Sequence, residues 1–327
     1  MIFLPYSLKG KKIPKLCYQE NYQLKLRGIF WERNFEMKLN NLNKKRLILV
    51  DLDGTILTND GETMHPKTAE VLKEAMKNKH QVCIVTGRPY IASARQYEEL
   101  GLTTLLTNFD GSHIHDPKTR QFKRILFPIS EPIIKEILNN PIINQACANV
   151  MTEYYDKAML KNKDNDLENF FHLNEMDAGT FTYNDPAQKW KGPANNIVLK
   201  LKDAKDKDDV MRVLTDFKDA VKIQTDTLYG ITRDSKSLPI ISLTNKIANK
   251  GNAACILAQY YNKDIRDVIA FGDQMNDYHM LTTVGYGVAM INGSDALKTV
   301  ADGITWKSND DGGVGYYLEQ LLNGEEV

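Results

Sequence analysis

The chain has 327 residues, of which 42% are hydrophobic and 26% are charged, and this composition is typical of a folded protein rather than a disordered one. Its length predicts two domains, or one domain that carries a large insertion. Basic and acidic residues balance at 42 each, so no excess of positive charge predicts nucleic acid or an anionic membrane as a partner.

The first 44 residues are rich in lysine, asparagine and aromatic residues and show no clear hydrophobic period. We interpret residues 1–44 as an N-terminal extension of the fold, with Met37 as an alternative start of the protein. The apolar part of the opening MIFLPYSLKGKK is too short for a secretory signal, and its basic residues follow the apolar ones. No apolar run approaches the roughly 20 residues of a membrane span. We therefore expect a cytoplasmic protein without a membrane partner.

From Arg46 onwards, strand and helix patterns alternate. The continuous apolar run LILV, just before Asp51, predicts a strand that is buried on both faces of a parallel sheet. A segment with helical spacing, PKTAEVLKEAMKNK, comes next, and a second apolar run, QVCIVTG, follows it. The same unit then repeats. This alternation predicts an α/β fold with a doubly wound, Rossmann-like parallel sheet.

The alternation is interrupted in the middle of the chain. Beyond His113 the segments are irregular and charge-rich, and strands and helices resume in order from about Leu243. We therefore predict a core formed by residues 45–112 and 243–327, with residues 113–242 as an inserted α+β domain.

Polar residues follow the predicted strands at their carboxyl ends, where α/β sheets bind ligands. Carboxylates that converge there would repel one another unless a hard cation such as Mg²⁺ lay among them. A hydroxyl, backbone N–H groups and an ammonium group would cradle the oxygens of a phosphoryl group. Such a site suits phosphoryl transfer, for which a carboxylate can serve as the nucleophile. The residues concerned are Asp51, Asp53, Thr86, Gly87, Asn108, Lys250, Asp273, Asn276 and Asp277.

In their order and spacing, DLDGT, VTGR, ANKG and GDQMND resemble the four motifs of the haloacid dehalogenase superfamily, and the resemblance covers Arg46 to the end of the chain. The motifs resemble those of the phosphatase branch of this superfamily, not those of the dehalogenases. The inserted segment lies between the second and third motifs, as in the Cof-type sugar-phosphatase group with an α/β cap. The resemblance implies a phosphoric monoester hydrolase that uses Mg²⁺ and an aspartyl-phosphate intermediate. Its substrates would be small phosphorylated metabolites, such as sugar phosphates.

The resemblance also implies a role for each matching residue. It makes Asp51 the nucleophile and a metal ligand. It makes Asp53 the general acid and base, as well as a metal ligand through its backbone carbonyl. The remaining implied roles are phosphate binding for Thr86, Gly87, Lys250 and Asn276, metal binding for Asp273, and support for Asn108 and Asp277.

Two other functions stay open at this point. An aspartyl-phosphate can pass its phosphoryl group to a sugar acceptor, so a phosphomutase or phosphotransferase is the alternative enzyme. A sensor of phosphorylated metabolites without catalysis is the alternative of another class, although no essential residue of the motifs is missing.

Some residues depart from the family's usual pattern, or allow a second interpretation. The sequence NFDG at 108–111 replaces the more usual Asn-Gly-Ala, and Ser242 and Ile247 stand where many relatives have Glu and Gly. These departures leave the local geometry between core and cap open. His113 and His115 share one face of a predicted strand and could bind zinc, but no third ligand lies near them in the sequence, so we favour a structural role.

Overall fold

The computed structural model describes residues 44–225 and 238–325, together with the backbone of four two-residue strands outside those ranges. The chain divides into two compact units. The first unit comprises Met1–Val85, Leu100–Leu105 and Lys250–Val327, and the second comprises Thr86–Glu99 and Leu106–Asn249. Within the described ranges, no helix is long and apolar enough to cross a membrane.

The secondary structure elements are numbered in chain order. The strands are β1 (Ser7–Leu8), β2 (Lys11–Lys12), β3 (Leu47–Val50), β4 (Gln81–Ile84), β5 (Leu106–Asn108), β6 (His113–His115), β7 (Ile125–Leu126), β8 (Cys147–Tyr154), β9 (Lys157–Leu160), β10 (Phe181–Tyr183), β11 (Asn196–Leu201), β12 (Val221–Thr225), β13 (Thr227–Leu228), β14 (Ile231–Thr232), β15 (Ile240–Asn245), β16 (Val268–Gly272), β17 (Tyr286–Ala289) and β18 (Gly303–Ile304). The helices are α1 (Pro66–Lys77), α2 (Ala94–Glu99), α3 (Glu131–Leu138), α4 (Pro141–Ala146), α5 (Asn165–Phe170), α6 (Pro186–Lys189), α7 (Lys207–Thr215), α8 (Lys250–Tyr260), α9 (Tyr278–Thr283), α10 (Asp295–Lys298) and α11 (Gly313–Asn323).

The first unit is built on a five-stranded parallel sheet with the strand order β18-β17-β16-β3-β4. The predicted strand LILV is β3, which lies between β16 and β4 with all four side chains buried. A continuous apolar run is expected there, because a parallel strand is covered on both faces. The prediction of an α/β fold with a parallel core sheet is confirmed.

Helix α1 shows why the sequence begins a helix where it does. Pro66 occupies the first turn, where its missing N–H group costs nothing. The side chain of His65 accepts a hydrogen bond from the N–H of Lys67 at 3.1 Å, which satisfies one of the unpaired donors at the helix start. The helix then packs against α11 in the first unit.

The second unit contains a separate mixed sheet of six strands, in the order β10-β9-β8-β11-β15-β12. Strand β11 separates two hydrophobic clusters, since Ile197 and Leu199 contribute to one and Val198 to the other. This alternation explains the short apolar run in NIVLKL, at Ile197–Leu199, because both faces of the strand are covered. The unit also contains a smaller antiparallel sheet, β5-β6-β7, and the two-stranded pair of β13 with β14. The predicted α+β insertion is present as a sheet of its own.

The domain boundaries proposed from the sequence stay a prediction. The boundary at 112/113 falls immediately before β6, and the one at 242/243 falls inside β15, which pairs with β11 along most of its length. The predicted extension, residues 1–44, lies outside the described residues, except for the pair of β1 with β2 and for Lys44. Met37 is not among the described residues.

Candidate active site

Asp51 is the first residue after the buried strand β3, at the carboxyl edge of the parallel sheet. Its backbone N–H donates to the carbonyl of Phe271 on the adjacent strand β16 at 3.2 Å. Asp51 is 1% exposed, and Asp53, two residues further on, is 6% exposed. The strand order thus places two carboxylates at one buried point of the sheet edge, as the sequence predicts.

Lys250 provides the positive charge at this point. It begins helix α8 and is fully buried. Its Nζ lies 2.8 Å from Oδ1 of Asp51 and 2.6 Å from Oδ1 of Asp277. Burying an ammonium group away from water is costly unless it is paired and hydrogen-bonded. The two carboxylates therefore hold this lysine beside Asp51.

Asp277 uses both of its oxygens to organise the site. Oδ1 contacts Lys250, and Oδ2 accepts hydrogen bonds from the backbone N–H groups of Asp273 and Gln274 at 3.0 and 3.1 Å. These bonds fold the GDQMND loop back on itself after strand β16. Asp277 thereby fixes Lys250 and the backbone of Asp273 relative to each other. The sequence indicated only a supporting role for it.

The turn after Asp51 approaches Asp273 so closely that only glycine fits. Gly54 has φ +66°, and a Cβ atom added there would lie 2.2 Å from Oδ2 of Asp273. Glycine meets both demands, since it tolerates the left-handed conformation and leaves room for the carboxylate. The hydroxyl of Thr55 lies 3.4 Å from Oδ1 of Asp273, and Nδ2 of Asn292 donates to the carbonyl of Gly54 at 2.8 Å.

Sequence reasoning did not assign a role to Thr55 or Asn292. Thr55 is the last residue of the DLDGT motif, so its position in the motif could have indicated a contact with the site. Asn292 follows β17, the strand beside β16, and the rule that ligands gather at strand ends could have indicated it as well.

The site holds more negative than positive charge in the absence of a cation. Burial raises the pKa of Asp51 well above its ordinary value, and neighbouring Asp277 and Asp273 raise it further, while Lys250 opposes the shift. Burial, and then the charge of Asp277, raise the pKa of Asp273 to about 8. A divalent cation would offset this excess of negative charge.

The donor set fits such a cation. Asp51, Asp273 and Asp277 are all buried, and each can offer one oxygen within 4.8 Å of the others. Hard carboxylate oxygens are the ligands that divalent cations such as Mg²⁺ prefer. Because both oxygens of Asp277 already accept hydrogen bonds, Asp51 and Asp273 are the better placed of the three to bind metal. Asn276 lies in the same loop and is also buried.

The remaining predicted residues belong to the second unit. Thr86 accepts a hydrogen bond from the N–H of Arg88 at 3.1 Å, and Gly87 lies between them in the chain. Nδ2 of Asn108 donates to the Arg88 carbonyl and to the Ser93 hydroxyl, both at 2.9 Å. These bonds order the VTGR loop, while the proposed roles of Thr86, Gly87 and Asn108 at the reaction centre stay predictions.

The two histidines of GSHIHD also lie in the second unit. Their rings stack with centroids 4.1 Å apart, as expected for positions i and i+2 on one strand. Nε2 of His115 lies 3.0 Å from Oδ1 of Asn108. Through Asn108, which also donates to the Arg88 carbonyl, His115 connects strand β6 to the loop that follows β4.

Comparisons with known proteins agree with this geometry. The sequence profile of the haloacid dehalogenase-like hydrolases matches residues 48–318. A Metamycoplasma hominis protein, provisionally named a phosphatase, is 30% identical over 289 residues, which cover 86% of this chain and 99% of that protein. The Bacillus subtilis 5-amino-6-(5-phospho-D-ribitylamino)uracil phosphatase is 29% identical over 282 residues, which cover 86% of this chain and 98% of its own.

The fold is shared with solved structures as well. The crystal structure of TM0651 from Thermotoga maritima matches with a TM-score of 0.70 at 21% identity, over 85% of this chain and 97% of that one. Phosphatases of this family use a divalent metal, which the buried aspartates could bind. The chain therefore belongs to the haloacid dehalogenase-like hydrolases, in the Cof-type group of phosphatases with an inserted cap domain.

Proposed function

We propose that this phosphatase hydrolyses a small sugar or polyol phosphate in two steps, with Asp51 as the nucleophile and Mg²⁺ as its metal. The observation that carries the proposal is the contact between the fully buried Lys250 and Asp51, at 2.8 Å. This contact opposes the rise in pKa that burial imposes on Asp51. A bound Mg²⁺ would act in the same direction as Lys250 and favour the carboxylate form that attacks phosphorus.

In the first step, a carboxylate oxygen of Asp51 attacks phosphorus and the bond to the leaving oxygen breaks. Asp53 gives a proton to that leaving oxygen, which departs as an alcohol. In the second step, Asp53 takes a proton from a water molecule as its oxygen attacks the aspartyl-phosphate. Inorganic phosphate leaves, and the carboxylate of Asp51 is restored. One group can serve both steps because it returns to its starting protonation state.

The other residues would position the phosphoryl group and neutralise its charge. Lys250 would bind a phosphoryl oxygen while it pairs with Asp51, and Asp277 holds its ammonium group in place. Asp51, Asp273 and the backbone carbonyl of Asp53 would hold Mg²⁺, which when bound offsets the charge of the phosphoryl group. Asn276, Thr86 and Gly87 would donate hydrogen bonds to phosphoryl oxygens, with Asn108 ordering the loop that carries the last two.

The substrate class rests on the relatives. The Bacillus subtilis relative is named for a substrate in which the phosphate is attached to a ribityl chain. A primary phosphate on a polyol or sugar is consistent with the Cof-type group to which this chain belongs. Transfer to a sugar acceptor instead of water is the alternative outcome.

The test is phosphate release from p-nitrophenyl phosphate with Mg²⁺ and no acceptor. We expect wild-type protein to release phosphate and Asp51→Asn to lose roughly 10⁴-fold or more in kcat. Asp295→Asn, which removes an exposed carboxylate of the first unit, is the matched control and should keep wild-type activity. Turnover that appears only when a sugar acceptor is added would replace hydrolysis by phosphotransfer.

A further inference from the structure

A cavity of about 660 Å³ lies wholly within the second unit. None of the residues predicted for phosphoryl transfer lines it. Its walls come from four separated segments of the chain, at 89–91, 115–124, 153–157 and 176–180. The volume is in the range of sites for small organic ligands, roughly 300–1,000 Å³. The phosphoryl chemistry does not account for this cavity.

Aromatic rings form one wall of the cavity. The rings of Tyr90 and Tyr155 both line it, and Tyr90 meets His115 edge to face with centroids 5.0 Å apart. Behind them, His113 stacks on His115 at 4.1 Å and meets Tyr155 edge to face at 4.9 Å. Burial lowers the pKa of His115 to about 4, so its ring is uncharged at neutral pH. A flat ligand would find uncharged aromatic side chains here.

Glu153 supplies a buried polar group to the lining of the cavity. It is 5% exposed, and within the described part of the chain its side chain has one hydrogen bond, from Nδ2 of Asn196 to Oε2 at 2.9 Å. Burial raises the pKa of Glu153 to about 8, so the carboxyl group is protonated at neutral pH. Since Asn196 occupies Oε2, the proton on Oε1 can be donated to a ligand.

The exposed rim of the cavity is predominantly basic. Another lining residue, the buried Asp116, accepts backbone hydrogen bonds from Lys118 and Thr119 at 3.1 and 2.8 Å, so its charge serves the turn that follows it. The guanidinium carbon of Arg124 lies 3.7 Å from the centre of the Tyr155 ring, which holds this side chain against the aromatic wall. The exposed charged residues of the rim are Arg120, Lys123, Arg124, Lys157, Asp156 and Asp177.

We propose that this cavity binds a flat heteroaromatic molecule that carries an anionic group. The ring lies against Tyr90, an acceptor nitrogen of the ring takes a hydrogen bond from Glu153, and the anionic group faces Arg124, which Tyr155 holds at the rim. This binding site is separate from the phosphoryl chemistry of Asp51, and it does not depend on the proposed mechanism.

Three matched probes test the proposal by isothermal titration calorimetry at pH 6.5, with the full-length protein. Quinoline-3-carboxylate has the ring nitrogen and the anion, quinoline-3-carboxamide lacks the charge, and 2-naphthoate lacks the nitrogen. We expect quinoline-3-carboxylate to bind at least about tenfold more tightly than either other probe, since it alone makes both the charge-assisted contact and the buried hydrogen bond.

Variants then locate the bound probe. Arg124→Met should weaken quinoline-3-carboxylate at least about tenfold and leave quinoline-3-carboxamide within about twofold, because only the anion faces the guanidinium. Glu153→Leu should reduce the preference for quinoline-3-carboxylate over 2-naphthoate. Lys189→Met, an exposed basic residue of the second unit away from the cavity, is the matched control and should change neither affinity. Circular dichroism and the melting temperature check that each variant is folded.

Three results would overturn the proposal. They are no binding of quinoline-3-carboxylate at millimolar concentration, equal affinity for all three probes, and an affinity that Arg124→Met leaves unchanged. The last result would place the probe elsewhere on the protein. None of these measurements uses phosphatase activity, so their failure leaves the proposed reaction untouched.

Discussion

The two units of this protein handle buried polar groups in opposite ways. At the sheet edge of the first unit, Asp51, Asp273 and Asp277 are buried with one ammonium group, Lys250, and contacts within 3 Å fix the lysine. In the second unit, two buried groups of the cavity, Glu153 and His115, are uncharged at neutral pH, and apart from Asp116 the charged lining residues lie at the exposed rim. Paired charge suits a reaction in which charge moves, whereas an uncharged interior suits recognition of an organic ring.

Removing the ammonium group that is buried among the aspartates of the first unit should have the largest effect on stability. Lys250→Met leaves Asp51 and Asp277 buried without their cationic partner, so we expect the free energy of unfolding to fall by about 3–5 kcal/mol. Lys298→Met removes a lysine from a pair in which Asp295 is fully exposed, and it should cost at most about 1 kcal/mol. Urea unfolding of both variants measures the difference. Equal losses would show that the buried pairing is not what sets the first unit apart.

The excess negative charge of the aspartate site in the first unit should make Mg²⁺ a stabilising ligand. At a free concentration one hundred times its dissociation constant, Mg²⁺ would raise the free energy of unfolding by about 2.7 kcal/mol. Asp273→Asn should lose most of this gain because it removes a proposed metal ligand, while Asp295→Asn should keep it. Thermal unfolding with and without Mg²⁺ measures the shift. If Mg²⁺ stabilises Asp273→Asn as much as it stabilises wild type, Asp273 is not a metal ligand.

Two glycines of the first unit with nearly equal φ allow the effect of tight packing on stability to be separated from the effect of backbone strain. Gly54 has φ +66° and its Cβ position meets Asp273 at 2.2 Å, whereas Gly101 has φ +68° and nothing within 4 Å. Both alanine variants carry the same strain. Gly54→Ala should therefore cost about 1–3 kcal/mol more in unfolding free energy than Gly101→Ala, and it alone should reduce phosphatase activity. Indistinguishable variants would refute the close contact with Asp273.

The uncharged Glu153 in the cavity of the second unit predicts that stability depends on pH. The pKa of Glu153 rises from 4.5 to about 8 on folding, so between these pH values the native state binds more protons than the unfolded state. Its contribution to stability is therefore present below about pH 4.5 and is lost as the pH rises towards 8, with a slope of about 1.4 kcal/mol per pH unit.

Glu153→Gln keeps the shape of the side chain and removes its titration. The free energy of unfolding of wild type should therefore fall relative to this variant between pH 5 and pH 8, as measured by urea unfolding at several pH values. Glu136→Gln, at an exposed position of the same unit, should run parallel to wild type. If Glu153→Gln also runs parallel, the carboxyl group is charged in the folded protein.

The sequence was sufficient to predict the parallel sheet and the buried carboxylates. Asp51, Asp273 and Lys250 stand in short motifs at the ends of apolar strands, so local pattern and sheet topology together bring them to one edge. The direction in which a side chain points within a loop is not encoded in such a pattern. For this reason the sequence indicated only support for Asp277, although both of its oxygens hold the site together, and it gave no role to Thr55 or Asn292.

The cavity of the second unit could not be predicted in the same way. Its lining residues are separated by up to about ninety positions, from Pro89 to Thr180, and none of them forms a motif. Only the spacing of His113 and His115 gave a hint, since residues two apart on a strand share a face. Strand β15 shows a related limit of prediction from sequence. It continues across the predicted boundary at 242/243, and no local pattern in its residues indicates the sheet to which it belongs.

The central claim is that the phosphoryl group passes through Asp51, and trapping the intermediate tests it most directly. The enzyme is mixed with p-nitrophenyl phosphate and Mg²⁺, quenched in acid within milliseconds, reduced with borohydride and digested for mass spectrometry. Reduction of an aspartyl-phosphate leaves homoserine, which we predict at position 51 in wild type and at a higher level in Asp53→Asn. Homoserine at another position, or phosphatase turnover that persists in Asp51→Asn, would contradict the account.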